Sequence, residues 1–219
     1  MIAGELLAKS FVGVQYQETA RTALLSMNDQ YVKHLPVLHD DSYLGMISEE
    51  DLLNNSLEVE VKALVNVENR PLLHQTDHLF KIMGLFAEKQ VTVLPVLDEK
   101  DQYIGSLLQE EIVDYYTKSF AYADPGSILV LEMNRRDYEL TTIARVIESE
   151  GGKILCAFVS RSTTPEEMIL TIKIDKMQIK EINDTLERMD YNIRAVYEET
   201  AYSDILQERY DALMHYLNV

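Results

Sequence analysis

The stretch HLPVLHDDSYLGMISEEDLL, residues 34–53, decides how this chain is interpreted. A related stretch, VLPVLDEKDQYIGSLLQEEIV, follows at residues 93–113. The motif Leu-Pro-Val recurs first, and Tyr-x-Gly recurs after a polar turn that is one residue longer in the second stretch. Agreement at many positions in the same order indicates an internal duplication rather than a chance motif match.

Each copy predicts the same elements in the same order: a helix, a strand, a polar turn, a second strand and a second helix. The second helices are predicted to begin at about Glu49 and about Gln109. The predicted apolar faces of the first helices are Ala20, Leu24 and Met27 in one copy, and Leu79, Met83, Phe86 and Ala87 in the other. A unit of this size buries little apolar surface alone, so we expect the copies to pack face to face.

Composition restricts the function classes. The chain has 219 residues, is 47% hydrophobic and carries a formal net charge of −17, without any cluster of Lys and Arg. One or two globular domains are expected, and binding to nucleic acid or to an anionic membrane is disfavoured. A single cysteine, Cys156, sits in an apolar segment and is expected to be a buried, inert thiol. The absence of a signal-peptide pattern and of a long apolar run predicts a cytoplasmic protein.

The duplicated motifs resemble a tandem pair of CBS domains. The resemblance covers roughly residues 1–120, and we assign repeat 1 to residues 1–56 and repeat 2 to residues 57–122. It implies an α/β (α+β) fold in which a β-α-β-β-α unit is duplicated about a pseudo-twofold axis. It also implies that no cofactor is required, and that AMP, ADP, ATP or S-adenosylmethionine could act as a regulatory ligand in the cleft between the repeats.

The family's ligand pattern is a Gly, then a Ser or Thr three residues later, then an Asp three residues further on, and repeat 1 carries it as Gly45, Ser48 and Asp51. A hydroxyl and the first backbone N–H groups of a helix favour a phosphate, and a carboxylate can accept both ribose hydroxyls. A second interpretation fits the same residues: Ser48 caps the helix, and Asp51 stabilises its first turn.

The remaining cleft positions of the family would here be Val12, Gly13, Lys33, Leu35 and Pro36. Repeat 2 departs from the ligand pattern, because Leu108 stands where repeat 1 has Ser48 and Glu111 stands where it has Asp51. Leucine cannot donate a hydrogen bond, so we expect the second site to be empty, altered or structural.

Residues 126–200 predict the order β-α-β-β-α-β, which is ferredoxin-like. The segment resembles an ACT domain, and a CBS pair followed by such a domain resembles the acetoin-utilisation B-type proteins. ACT domains often bind amino acids at the turn after the first strand, but here that turn, Asn134–Tyr138, has neither Pro nor Gly. Its two arginines could hold an anion, although a solvated turn is the simpler interpretation. Residues 201–219 predict an amphipathic helix that packs on its own chain or on a partner.

No motif of a catalytic nucleophile, a phosphate loop or a metal site is complete in the sequence. We therefore predict a non-enzymatic regulatory module that senses an adenosine-containing nucleotide, and we expect a homodimer that can act on a protein partner. The alternative is a protein-interaction scaffold with a vestigial nucleotide site, which the changes at Leu108 and in the Asn134–Tyr138 turn favour.

Overall fold

The structure is a computed structural model that describes residues 1–8, 10–68, 70–122 and 124–198. The chain divides into two compact units, Met1–Tyr116 and Thr117–Val219. The amphipathic helix predicted over residues 201–219 lies outside the described residues.

Repeat 1 contains five elements in the predicted order. They are β1 (Val14–Gln15), α1 (Ala20–Asp29), β2 (His34–His39), β3 (Ser42–Ser48) and α2 (Glu49–Leu53). The strands form one sheet in the order β1-β2-β3, with β1 parallel and β3 antiparallel to β2. This is the β-α-β-β-α unit that the resemblance implies.

Repeat 2 has the same elements and the same strand pairing. They are β4 (Leu73–His74), α3 (Leu79–Lys89), β5 (Val93–Leu97), β6 (Tyr103–Leu108) and α4 (Gln109–Ser119). Even the irregularities correspond, because each hairpin shifts register directly after the Val of its Leu-Pro-Val motif, opposite Gly45 in one repeat and Gly105 in the other. The duplication inferred from the sequence is therefore present in the backbone.

The two repeats share a hydrophobic core, as we expected from their size. The core of repeat 1, which includes Leu35 and Ile47, also contains Val93 and Leu108 of repeat 2. All four side chains are at most 7% exposed. Pairing two small units in this way buries apolar surface that either unit alone would leave in water.

The repeats also exchange flanking segments across the predicted border at residue 56. The chain before β1 packs on repeat 2, where the Ala3 N–H donates to the Asp77 carbonyl at 2.9 Å. The chain after α2 folds back on repeat 1, where the Val61 N–H donates to the Glu18 carbonyl at 2.8 Å. Ala3 and Val61 are both fully buried. Each repeat is therefore completed by residues that a linear division of the chain would assign to the other.

The second unit is ferredoxin-like, as predicted. Its elements are β7 (Ser127–Asn134), α5 (Leu140–Ser149), β8 (Ile154–Arg161), β9 (Glu167–Ile174), α6 (Lys180–Arg188) and β10 (Asn192–Tyr197). The antiparallel sheet has the order β10-β7-β9-β8. Alternate residues of β7 and β9 are buried in one core with the apolar faces of α5 and α6. The period-two pattern of these strands is what directs one sheet face towards the helices.

Several predicted core positions are corrected by the structure. Met83 is 41% exposed and Ala87 is also exposed, whereas Ile82 is buried instead. The error arises because an apolar stripe wider than one helical row does not show which of its edges faces the core. Cys156, expected to be buried, is partly exposed because it lies in β8, an outer strand of the sheet.

Among the described residues, no helix is both long enough and apolar enough to cross a bilayer.

Candidate functional site

The predicted ligand residues of repeat 1 converge on one end of its three-stranded sheet. Val12 and Gly13 precede β1, Lys33 precedes β2, and Ser48 ends β3. Because β1 and β2 are parallel and β3 runs the opposite way, these positions lie at the same end of the sheet, which we call the site edge of repeat 1. Asp51 joins them from the first turn of α2. The fold thus brings together residues that are far apart in the sequence.

Ser48 and Asp51 form a reciprocal helix cap. The Asp51 N–H donates to Ser48 Oγ at 3.1 Å, and the Ser48 N–H donates to Asp51 Oδ2 at 3.1 Å. The Ser48 hydroxyl in turn donates to Asp51 Oδ2 at 2.5 Å. This is a capping box, in which two otherwise unpaired helix N–H groups are satisfied. The capping interpretation of the sequence pattern is therefore confirmed.

A phosphate has little to bind at this helix start. The Glu49 N–H donates to the Lys33 carbonyl at 2.9 Å, and the Asp51 N–H is occupied by the cap. The first turn carries three acidic side chains, Glu49, Glu50 and Asp51. Two of the early N–H groups of α2 are thus used by the protein itself, and the acidic side chains of the turn disfavour a phosphate there.

The Asp51 carboxylate remains available to a ligand. The residue is exposed, and both hydrogen bonds from Ser48 end on Oδ2. Within the part of the chain that the structure describes, Oδ1 accepts no hydrogen bond. A carboxylate oxygen has two acceptor positions, so Oδ1 can receive hydroxyl donors such as those of a ribose. The cap and a ligand contact are thus compatible, since they use different oxygens.

Val12 and Gly13 line the other side of this edge. Both backbone groups of Val12 are held by the Gln30 side-chain amide, at 2.9 Å and 3.1 Å, while the Val12 side chain is 65% exposed. A Cβ on Gly13 would lie 2.7 Å from the Pro36 carbonyl oxygen. Gly13 therefore permits the close approach of the two chain segments, and Val12 offers a fixed apolar surface.

The three predicted residues before and within β2 have different positions. Lys33 is exposed, whereas Leu35 and Pro36 are buried and Leu35 belongs to the shared core. Contact of Leu35 and Pro36 with a ligand remains a prediction, which their burial does not favour. Both residues support the site edge from the buried part of β2.

His34 is the residue of this edge that the sequence interpretation missed. It pairs with Ser48 across the hairpin. The Thr92 N–H of repeat 2 donates to its Nδ1 at 3.2 Å, and Thr92 Oγ1 lies 3.3 Å from the same nitrogen. The only sign of His34 in the sequence was its position next to the Leu-Pro-Val motif. Its partner Thr92 lies in the other repeat, so residue spacing does not indicate the contact.

The surroundings of His34 favour its neutral form. Burial lowers the pKa of His34 below its ordinary value, the Asp51 carboxylate opposes this change, and the Lys33 ammonium adds to it. Burial is the largest of the three effects, since a charged imidazolium loses its hydration inside the protein.

The equivalent end of repeat 2 is apolar. Val93 takes the place of His34 and pairs with Leu108, which takes the place of Ser48. Both side chains are buried in the shared core, at 0% and 7% exposure. The helix still begins with the same backbone bond, from the Gln109 N–H to the Thr92 carbonyl at 3.2 Å. Repeat 2 thus keeps the turn and lacks the polar site.

The Asn134–Tyr138 turn of the second unit is closed by its own contacts. Asn134 Oδ1 accepts the Arg136 N–H at 3.0 Å, and Arg135 Nε donates to the Pro165 carbonyl at 3.0 Å. Acidic groups, including Glu132 and Asp137, border the adjoining cleft. These contacts favour the interpretation of a structural turn over that of an anion site.

The described residues contain no group of three His, Cys, Asp or Glu side chains that could hold a metal ion together. The Asp77 carboxylate between His74 and His78 accepts the His74 N–H and pairs with Lys81, so it belongs to a local helix start.

Comparison with protein families identifies the class. The family model of the CBS domain matches residues 3–58 and 65–118, one match for each repeat. The chain belongs to the CBS domain family, and its first unit is a CBS domain pair.

Three individual proteins are similar to part of this chain. A CBS domain-containing protein of Dictyostelium discoideum is 26% identical over 143 residues, which cover 58% of this chain and 99% of the relative. A CBS domain pair/ACT domain protein from Thermotoga maritima aligns with a TM-score of 0.50 and 23% identity, over 54% of this chain and 98% of that one. The structure of CBSX2 in complex with AMP aligns with a TM-score of 0.46 and 21% identity, over 53% of this chain and 96% of that one.

Proposed function

We propose that this protein is a non-enzymatic regulatory module whose CBS pair binds an adenosine-containing ligand at the sheet edge of repeat 1. One observation carries the proposal: Asp51 is exposed, is fixed by Ser48 through Oδ2 and has Oδ1 open for ribose hydroxyls. The exposed Val12 side chain offers an apolar surface at the same edge. Ser48 acts by positioning the carboxylate.

The charges of the edge favour ligands with few phosphates. Glu49 and Glu50 precede Asp51 in the first turn of α2, and Lys33 is a basic residue whose carbonyl accepts the Glu49 N–H. Since the Glu49 and Asp51 N–H groups are engaged, added phosphates find fewer donors at this helix start and meet acidic side chains. AMP or S-adenosylmethionine therefore binds at least as tightly as ATP.

Binding is measured by the thermal shift of the full chain with AMP, ADP, ATP and S-adenosylmethionine at millimolar concentration. A ligand at about a hundred times its Kd stabilises the folded state by ~2.7 kcal/mol, which raises the melting temperature by several degrees. Asp51→Asn keeps an acceptor for the cap and abolishes the shift, while Glu111→Gln, the matched change in repeat 2, retains it. No shift with any of the four ligands contradicts the proposal.

The second unit extends the module. We assign residues 126–200 to an ACT-like regulatory domain, which the ferredoxin-like strand order supports.

The protein acts as a homodimer, and the edge strand β8 supports this, because Phe158 and Val159 are 49% and 45% exposed there. Light scattering of the full chain tests the dimer: a mass of one chain contradicts it.

A scaffold without a ligand is the second candidate, and one surface favours it. Met83, Ile112 and Val113 line an open apolar groove of about 350 Å³ between α3 and α4. Exposed apolar grooves of this kind are typical of protein contacts. Under this alternative no nucleotide stabilises the chain, and Val113→Lys weakens self-association or partner binding while Leu53→Lys, the matched change in repeat 1, serves as control.

A further inference from the structure

His34 joins the candidate site to the other repeat. Its ring stands opposite Ser48 on the hairpin of repeat 1 and contacts Thr92 at the start of β5 in repeat 2. Thr92 Oγ1 also accepts the Lys33 N–H at 3.0 Å, so the two residues before the Leu-Pro-Val motif are both tied to one threonine. The position of the site edge therefore depends on this contact.

The contact requires a ring without a proton on Nδ1. The Thr92 N–H can only donate, so Nδ1 must accept, and the single ring proton of neutral His34 is on Nε2. Thr92 Oγ1 accepts from the Lys33 N–H and lies 3.3 Å from Nδ1, whose single lone pair already accepts the Thr92 N–H. A second ring proton on Nδ1 would replace an acceptor by a donor and place it against the Thr92 N–H.

The charged groups that act on the ring are few. Asp51 contributes a carboxylate from α2, and Lys33, the residue before β2, contributes an ammonium. Thr92, the contact from repeat 2, is uncharged. A protonated His34 is attracted by Asp51, which is the carboxylate that the ligand needs.

We propose that His34 is a positioning residue of the Asp51 site and makes ligand binding depend on pH: the neutral ring holds the site edge against Thr92, whereas protonation removes this contact and engages Asp51. The inference rests on the proposed function and deepens it by naming a form of regulation. Loss of the Thr92 contact and attraction of the ring to Asp51 both weaken ligand binding. The affinity for the ligand therefore falls as the pH falls.

The second repeat provides an internal comparison. Val93 replaces His34 and Leu108 replaces Ser48, so neither of these two positions of repeat 2 carries a side chain that changes its charge. The pH dependence therefore originates from one side of the pseudo-symmetric pair.

Adenosine is a suitable probe, because its own charge does not change between pH 5.5 and pH 8. We expect the affinity of the full chain for adenosine to fall as the pH is lowered from 8, and to approach a loss of about tenfold per pH unit once the pH is below the pKa of His34, as proton linkage requires when the bound form excludes the proton. His34→Gln retains an oxygen acceptor for the Thr92 N–H but cannot be protonated, so it binds adenosine with an affinity that is independent of pH. His39→Gln, a change of an exposed histidine on the same strand, behaves like the wild type.

A pH slope in His34→Gln equal to that of the wild type overturns the inference. The ligand-free melting temperature separates this failure from failure of the proposed function. If adenosine and the nucleotides do not bind at any pH, the proposed function fails, and the binding inference fails with it. The contact with Thr92 is then still tested, because its loss on protonation predicts a steeper fall of the wild-type melting temperature below pH 6.5 than that of His34→Gln.

Discussion

The ends of β3 and β6 share one backbone pairing and differ in chemistry. In repeat 1 the pair is His34 and Ser48, which is polar and reaches the surface, and in repeat 2 it is Val93 and Leu108, which is buried. The helix that follows begins with the same backbone hydrogen bond in both repeats. The strand-to-helix turn is therefore stable with either pair, and the polar pair is not a requirement of the fold.

This difference shows that equivalent positions of a duplicated unit can take different roles. Repeat 2 uses the position for the shared core, where an apolar side chain contributes most, and repeat 1 keeps groups that can meet a ligand. The cap formed by Ser48 and the open oxygen of Asp51 belong to one arrangement, since the cap holds the carboxylate in place. Under the proposed function, repeat 1 combines the cap with the ligand contact, whereas repeat 2 uses the equivalent strand position for the shared core.

The largest effect on stability is expected from substitutions that give the ends of β3 and β6 the same residue. Leu108→Ser removes a buried side chain from the shared core and places a hydroxyl there, so the free energy of unfolding falls by about 3–4 kcal/mol. Urea unfolding of the full chain measures the change. Ser48→Leu, the reverse substitution, loses only the cap and costs about 1 kcal/mol. Equal losses for the two variants would show that the ends are not as different as their burial indicates.

An intermediate effect distinguishes two equivalent glycines. A Cβ on Gly45 would lie 2.6 Å from the Asn66 carbonyl oxygen, so Gly45→Ala forces backbone apart and costs about 2 kcal/mol. Gly105 has a φ of +149°, and its nearest neighbour is the flexible end of Leu7 at 3.3 Å. Gly105→Ala is therefore strained by its own backbone, at a cost of about 1–2 kcal/mol.

A double-mutant cycle with Leu7→Ala checks the reason for the second loss. If backbone strain is responsible, shortening Leu7 does not rescue Gly105→Ala, and the two losses add. Rescue would show that the glycine is needed for space instead.

The smallest expected effect is that of the cap alone. Ser48→Ala leaves the Asp51 N–H without its partner and costs about 1 kcal/mol in thermal or urea unfolding. Ser48→Thr keeps the hydroxyl and most of this stability. A loss equal to that of Ser48→Ala in the threonine variant would show that the hydroxyl is not what stabilises the turn.

Much of the fold was predictable from local patterns. The alternation of apolar residues in β7 and β9 and the repeated Leu-Pro-Val motif defined the ferredoxin-like unit and the duplicated hairpins. The exact buried row of each helix was not predictable, because neighbouring rows such as those of Ile82 and Met83 are equally apolar.

The candidate site was predictable only in part. Ser48 and Asp51 lie three residues apart, so their contact is local and a sequence pattern can indicate it. The contact between His34 and Thr92 joins two repeats. The Gln30 amide, at the end of α1, binds Val12, which is 18 residues earlier in the chain. Such contacts depend on how elements pack, and residue spacing does not indicate them.

The most direct test of the account is calorimetric titration of the full chain with AMP, together with Asp51→Asn and Glu111→Gln. We expect one site per chain in the wild type and in Glu111→Gln, and none in Asp51→Asn. Binding that survives Asp51→Asn, or that is lost in Glu111→Gln, would contradict the claim that the ligand site belongs to repeat 1.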